Sequence, residues 1–592
     1  MEHEAIEQTR WSLQDLLPTT TSPEFDGILI LAELEDTVSQ LEASREQLSP
    51  NIPETDFCQL MVQVEKLATF TKRLGAYAFL WYAEDTQHQD ALAFRGRMER
   101  VLTDVQNRTL FFTLWWKGLD DGPAERLLAA SGDNAYYLES LRRFKPHTLS
   151  EPEEQAINLK DVNGIQALVT VYEMLTNAFV FKVEIDGEVK ELGRSELMVY
   201  ARDPRPEVRA AVYQELYRVY GEQSTVLGQI YQHVVRDWAS EQLSLRKYPA
   251  PIAVRNLGND IPDDIVDTLL EVCQENAELF QRYFRLKAGW LGVDRLQRYD
   301  IYAPLSASDK AYPFDTAANM VLDSLGGFSP LLAEHAQRIF VENHLDSEVR
   351  ARKDTGAFCA SVLPGVAPWV LVNYNSKAND VGTLAHELGH AVHGLMAADH
   401  TPLTFHSSLP LAETASVFSE MLLLERLLGQ KSDPTARRDI LAHFVDNAYA
   451  TVIRQAFFVL FEREAHELVQ EGQTTGYLAE RYLANLRAQF GDAVEINDEF
   501  RWEWVSIPHI YHTPFYCYAY SFGQLLVLAL YQQFKQEGAS FIPKYLRILA
   551  YGGSRSPADI LAEAGVDITS DAFWQGGFDV IAEMIQELET LA

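Results

Sequence analysis

The sequence predicts a mainly α-helical protein with a small β-sheet, and three observations carry that prediction. Long stretches place apolar residues at i, i+3 and i+4, as in 56–78, 207–220 and 263–291, the spacing that lines one face of a helix. Strand signals are confined to two short segments. At 592 residues two or three structural units or one large fused helical body are expected, and with no internal repeat, low-complexity tract or long Pro/Ser linker the boundary near residue 200 is soft.

Taken in order, residues 1–200 read as an N-terminal helical region. The segment FVFKVEIDGEVKEL within it alternates apolar and polar residues around Asp186-Gly187. Such a dipeptide favours the positive φ angles of a two-residue turn, so a β-hairpin is expected near 181–192. Residues 201–592 read as a second, larger helical region. It contains PWVLVNY, 368–374, an apolar β-branched run that predicts a short strand. GTLAHELGHAVHG, 382–394, follows as a helix, and PLAETASVFSEMLLLERLL, 410–428, as another.

Composition narrows the functional classes. Apolar residues make up 47% and charged residues 23%, ordinary for a folded globular chain. The formal charge of -35 arises from 85 acidic against 50 basic residues, a balance that repels nucleic acid and anionic lipid. Neither is expected as a partner. The four cysteines, Cys58, Cys273, Cys359 and Cys517, are widely spaced and read as reduced thiols rather than a disulfide or zinc-ribbon framework. The first residues lack the basic and apolar regions of a secretory signal, and the longest apolar runs are too short to span a bilayer. A cytoplasmic location is therefore expected, while the oligomeric state is left open.

The chemistry is concentrated in the 382–394 helix. Successive helical residues rotate by about 100°, so His386 and His390 lie about 40° apart and one turn above each other, able to point at one ion. Glu387 projects about 100° from His386, where it can touch a water beside that ion and take its proton. Leu384, Leu388, Val392 and Leu395 form an apolar stripe on the same helix, and Glu387 is the single charged residue from Gly382 to Ala398. A histidine face so poor in charge looks covered by protein, where imidazoles need partners. His393 faces nearly the same way as His386 but sits roughly 10 Å further along the axis, too far to share the ion. A third ligand is needed. The second helix offers Glu413 and Glu420, seven residues apart on one face amid small and apolar neighbours. Glu413 as ligand and Glu420 as the outer partner orienting an imidazole is the simplest use of both.

A further cluster lies in PHIYHTPFYCYAY, 508–520, which holds His509, Tyr511, His512, Tyr516, Tyr518 and Tyr520. Amide hydrolysis builds negative charge on the carbonyl oxygen, and Tyr or His donors are suited to share it. Tyrosines at alternate positions also simply pack with their hydroxyls at a surface.

HELGHAVH followed by LAETASVFSE resembles the M3 zinc metallopeptidases, of the oligoendopeptidase F type. The resemblance extends to RKDTGAF, WVLVNYN, IPHIYHTPFYCYAYSFG and YGGSRSPADILAEAGVD, and so spans most of the chain. It implies a multi-helical body with a deep substrate channel, a thermolysin-like (zincin) metal core in a 201–592 catalytic domain, and one Zn2+ per chain held by His386, His390 and Glu413. It further implies cleavage of internal bonds in short unstructured peptides, with Glu387 as base. His509 and Tyr518 are the best matches to the residues over the scissile bond; Tyr511, His512 and Tyr516 are possible substitutes and substrate contacts. The strand Trp369, Val370, Leu371, Val372 and Asn373 is expected to pair its edge with the substrate. Two rivals stand beside this reading: a carboxypeptidase or dipeptidase on the same core, using Arg352 or Lys353 to hold a terminal carboxylate, and a non-catalytic peptide-binding protein with a structural metal.

Overall fold

The computed structural model describes residues 5–17, 23–305, 311–430 and 433–591. Helices make up most of this chain. Among the described residues there are seven short strands: β1 (Phe181–Ile185), β2 (Glu188–Leu192), β3 (Leu296–Gln297), β4 (Leu345–Asp346), β5 (Phe358–Ala360), β6 (Trp369–Leu371) and β7 (Val494–Glu495). Backbone contacts divide the chain into two compact units, each collected from three stretches. The first comprises Met1–Thr148, Lys310–Gly429 and Gln533–Asp567; the second comprises Leu149–Asp309, Gln430–Gln532 and Ile568–Ala592. These units do not follow the 1–200 and 201–592 division, because segments distant in sequence return to the same core.

The first unit is built on the paired helices Glu54–Glu84 and Gln89–Gly118. Phe57, Leu60, Val64, Leu67, Phe70 and Leu74 recur every three or four residues and all are buried, the stripe that the periodicity demands. Phe57 stacks on Trp116 at 5.5 Å, and the Trp116 indole N–H donates to the Leu138 carbonyl at 2.8 Å.

The same unit carries a three-stranded sheet in the order β4-β6-β5, with β6 parallel to β4 and antiparallel to β5. Residues 9–12 run along the outer side of β4: the Ser347 N–H donates to Thr9 O at 2.9 Å and the Ser12 N–H to Asn343 O at 2.8 Å. PWVLVNY is thus a strand, but its place corrects the expectation that 369–373 offers an edge to substrate. Trp369, Val370 and Leu371 are wholly buried, and both sides of their ladder are taken. Val372 donates its N–H to Asp346 O, and the Asn373 side chain donates to Asp354 O and Gly356 O. The edge strand is β5.

The second unit contains the β1–β2 hairpin with Phe181 opposite Leu192 and Ile185 opposite Glu188. Asp186 and Gly187 have φ of 56° and 79°, the signs a type I′ turn requires. The helix expected over 263–291 is two helices, Asp263–Glu275 and Ala277–Trp290. Asn276 breaks it, its side-chain amide donating to Val272 O and to Gln575 Oε1, both at 2.9 Å, as asparagine does where it competes with the backbone ladder. Deeper in this unit, the Glu503 carboxylate accepts from Arg298 at 2.9 Å and Arg454 at 2.8 Å.

The four cysteines are free thiols. No helix among the described residues is long and apolar enough to cross a membrane.

Candidate metal centre and active site

The histidine helix spans Ala378–Met396. Its first turn is closed by Asp380, whose carboxylate accepts the N–H groups of Asn375 at 2.7 Å and Lys377 at 3.0 Å. The helix is buried on nearly every side, by Val381, Leu384, Leu388, Val392 and Leu395 but also at Glu387, Gly389, Ala391 and His393. One glycine decides what it packs against. A Cβ added at Gly389 would lie 2.5 Å from Ala415 O and from Ser416 Cα, so only glycine lets the backbone at 415–416 come this close.

That close approach delivers Glu413. The residue sits between the short helix Leu409–Ala412 and the longer one Thr414–Gln430, so it shares no unbroken helix with Glu420, contrary to the sequence expectation of one helical face. Its Oε2 lies 3.4 Å from His386 Nε2 and 3.5 Å from His390 Nε2, and Ser416 Oγ holds it by donating at 2.7 Å. The two imidazoles are crossed at 82° with centroids 4.8 Å apart. Ligand atoms bound to a tetrahedral zinc at about 2.0–2.2 Å are separated by about 3.4 Å along each edge. The donor set therefore fits a zinc-sized cation. His386, His390 and Glu413 form a group of potential metal ligands. His393 lies outside this group, as its axial distance predicts.

Glu420 stands behind the ligands. Its Oε1 is 2.5 Å from His386 Nδ1, so His386 donates there and turns Nε2 toward the Glu413 carboxylate. Burial opposes a charge on His386, yet Glu420, with Glu413 and Glu387 beyond it, outweighs burial and raises the pKa of the metal-free imidazole to about 9. Burial leads in the opposite direction at His390 and His393 and holds both below the usual imidazole range. Glu387 is 6% exposed. Burial raises its carboxyl to about 7 against the opposing pull of His386, which places its proton exchange near neutrality.

These groups open on a cavity of about 490 Å³ lined by β5, His386, Glu387, His390, His393 and the 405–407 segment. Phe358, Cys359 and Ala360 were missed from sequence; a three-residue strand is too short for alternation to register. His406 was missed because an isolated histidine carries no spacing signal.

The two basic residues considered for a terminal carboxylate are engaged elsewhere. Lys353 is buried and donates to the carbonyls of Asp346, Glu348 and Val372 while pairing with the Asp346 carboxylate at 2.8 Å. Arg352 reaches toward Asp85, 3.8 Å away.

His509 to Tyr520 belong to the second unit. Tyr511 is buried, stacked on Tyr172 at 3.9 Å with its hydroxyl donating to Leu227 O at 3.3 Å. Such packing makes it a core residue. His512 is 3.3 Å from the Glu173 carboxylate. Tyr518 is 0% exposed, and its hydroxyl accepts from Asn259 Nδ2 at 2.8 Å. His509, Tyr516 and Tyr520 are half-buried and His512 exposed, with Tyr520 Oη 3.4 Å from His509 Nε2 and the Tyr516 ring 6.1 Å from the imidazole. Tyr520 is the member of the cluster that sequence alone did not single out.

Comparison with known proteins agrees with this chemistry. Residues 199–580 match the model of peptidase family M3, and residues 116–181 match that of oligopeptidase F. The chain is 26% identical to oligopeptidase PepF of Bacillus subtilis over 98% of its own length and 87% of the relative's. It is 31% identical to group B oligopeptidase PepB of Streptococcus agalactiae, over 77% of this chain and 76% of that one. The crystal structure of oligoendopeptidase-F from Enterococcus faecium superposes with a TM-score of 0.72 at 24% identity, covering 96% of this chain and 98% of the other.

Proposed function

Because this chain belongs to peptidase family M3 and is a peptidase, we propose that it is a zinc-dependent endopeptidase that hydrolyses internal bonds of short, unstructured oligopeptides in the cytoplasm. The observation that carries the reading is the position of Glu413 Oε2, 3.4 and 3.5 Å from the two imidazole nitrogens, with Glu387 on the wall of the same cavity. His386, His390 and Glu413 would hold one Zn2+. When bound, the ion supplies a Lewis acid that acidifies water and polarises the substrate carbonyl.

The remaining chemistry belongs to side chains. Glu387 takes a proton from the attacking water and returns it to the leaving nitrogen; its buried carboxyl on the wall of the same cavity suits both transfers. Glu420 fixes the orientation of His386. The edge of β5, in place of 369–373, is assigned to pair with the extended peptide, since an edge strand has backbone donors and acceptors to spare. The 201–592 stretch, on this reading, supplies all of these residues.

Mass-spectrometric mapping of products from a peptide library, including peptides blocked at both ends, tests the proposal. Internal cuts in blocked peptides that vanish with a chelator and return with zinc are expected. Cleavage confined to free termini would transfer the assignment to the carboxypeptidase class.

The ligand set also fixes a pH dependence. The metal-free His386 is protonated at neutral pH, and a ligand must be neutral, so binding displaces one proton. Apparent zinc affinity should therefore rise about tenfold per pH unit from pH ~6 toward ~9 and then level off. Competition against a zinc-chelating dye across that range measures the slope, and a flat line would refute the protonated His386–Glu420 pair.

A further inference from the structure

The segment 400–407 is held with unusual thoroughness for a surface connection. Asp133 accepts from His400 Nδ1 at 2.9 Å, from the Thr401 N–H at 2.9 Å and from Thr404 Oγ1 at 2.5 Å. Lys72 Nζ donates to Pro402 O at 2.5 Å. On the other flank the Gly553 N–H donates to Thr404 O at 2.8 Å. A Cβ at Gly553 would meet His406 O at 2.0 Å, so the Gly552-Gly553 pair in YGGSRSP is a close-packing device rather than a free turn. Phe405 is buried beneath.

What this scaffold presents is His406. The residue is exposed, and it lines the cavity that Glu387, His386 and His390 also line. No hydrogen-bond partner for its imidazole occurs among the described residues. The surrounding protein first, and the Lys72 ammonium second, hold the ring below the usual imidazole range, so it is neutral at pH 7. A neutral imidazole offers one N–H donor and one nitrogen acceptor, the complement of a peptide group. The same cavity lining also includes Cys359, Ala360, Ser407 and Ala412, small uncharged residues that leave room for a peptide main chain.

We propose that His406 is a substrate-binding residue that hydrogen-bonds a main-chain peptide group of the bound oligopeptide, and that Asp133, Lys72 and the Gly552-Gly553 pair position it. The proposal rests on the peptidase site described above. Its test is separable from that reading because it measures binding without turnover. In the zinc-loaded Glu387→Gln protein, fluorescence anisotropy follows short fluorescein-labelled peptides of differing sequence, blocked at both ends. Adding His406→Ala should weaken binding about three- to tenfold, the worth of one neutral hydrogen bond, for every peptide alike. At least one of His406→Asn and His406→Gln, which keep a donor and an acceptor, should restore affinity to within about twofold. Zinc content and thermal midpoint should stay unchanged, since the residue is exposed and its backbone is anchored by others. Unchanged affinity in the alanine variant, a loss restricted to peptides bearing one residue type, or failure of both amides to rescue would each overturn it. Hydrolysis by the Glu387→Gln protein itself would instead strike at the base assignment.

Discussion

Glu387→Gln is expected to leave zinc content and peptide affinity close to wild type while lowering kcat by about 10²–10⁴-fold, the range for loss of a general base. Glutamine keeps the size of the side chain and its hydrogen-bonding reach, so the protein packed around this 6%-exposed residue need not rearrange. The three ligand atoms are untouched. What disappears is the ability to accept a proton from water and pass it to the departing amine. Because the loss belongs to the transition state, it should fall on kcat and on kcat/KM together, with KM little changed.

The pH profile adds a second signature. Burial raises the Glu387 carboxyl to about 7 in the metal-free protein, and a nearby dication would draw it down again. The base is ionised above its pKa, so wild-type kcat/KM should fall as pH drops through that lowered value, on the acid side of ~7, whereas the residual activity of the variant should lack that limb. Metal analysis, steady-state kinetics and the pH series check the three parts. A variant retaining activity within about tenfold of wild type while holding its metal would assign the base to another group.

Much of this site was legible because its signals are local. Two histidines four apart and an uncharged face follow from helical rotation, and the Asp186-Gly187 turn follows from backbone sterics at two residues; the structure has both. Other features depend on partners far along the chain. That neither side of PWVLVNY stays open is decided by β4 and β5, so the strand could be found and its central place could not. Glu413 reads as helical with Glu420 until the approach at Gly389 places it at a junction. Tyr516, Tyr518 and Tyr520 look equivalent in sequence, and only the contact with Asn259 separates the buried middle one. His406 has no motif at all. It is defined by a cavity and by the anchoring of Thr404 and Pro402 to side chains more than two hundred residues away.

Gly389→Ala should abolish high-affinity metal binding although it improves the helix locally. Alanine is favoured over glycine in a helix interior by about 0.8–1.0 kcal/mol, and on that ground alone the change would stabilise the protein. The tertiary contact reverses the sign. The new methyl would stand 2.5 Å from Ala415 O and Ser416 Cα and 2.8 Å from Ala415 C, all backbone atoms that no rotamer change can remove. Relief requires the two segments to part by about 1 Å, toward the usual 3.5–4.0 Å contact distance. Glu413, two residues before Ala415, moves with that segment, and its 3.4 and 3.5 Å separations from the imidazoles stretch beyond what one tetrahedral ion can bridge. Disturbing an outer partner of a metal ligand already costs about 10–100-fold in affinity, so displacing a ligand itself should exceed the upper figure. Gly382→Ala is the control: it lies on the same helix, nothing stands within 4 Å of its Cβ, and metal affinity should be unchanged. Chelator competition on both variants decides the matter, and a Gly389→Ala protein with wild-type zinc affinity would show that the two segments do not meet as they do here.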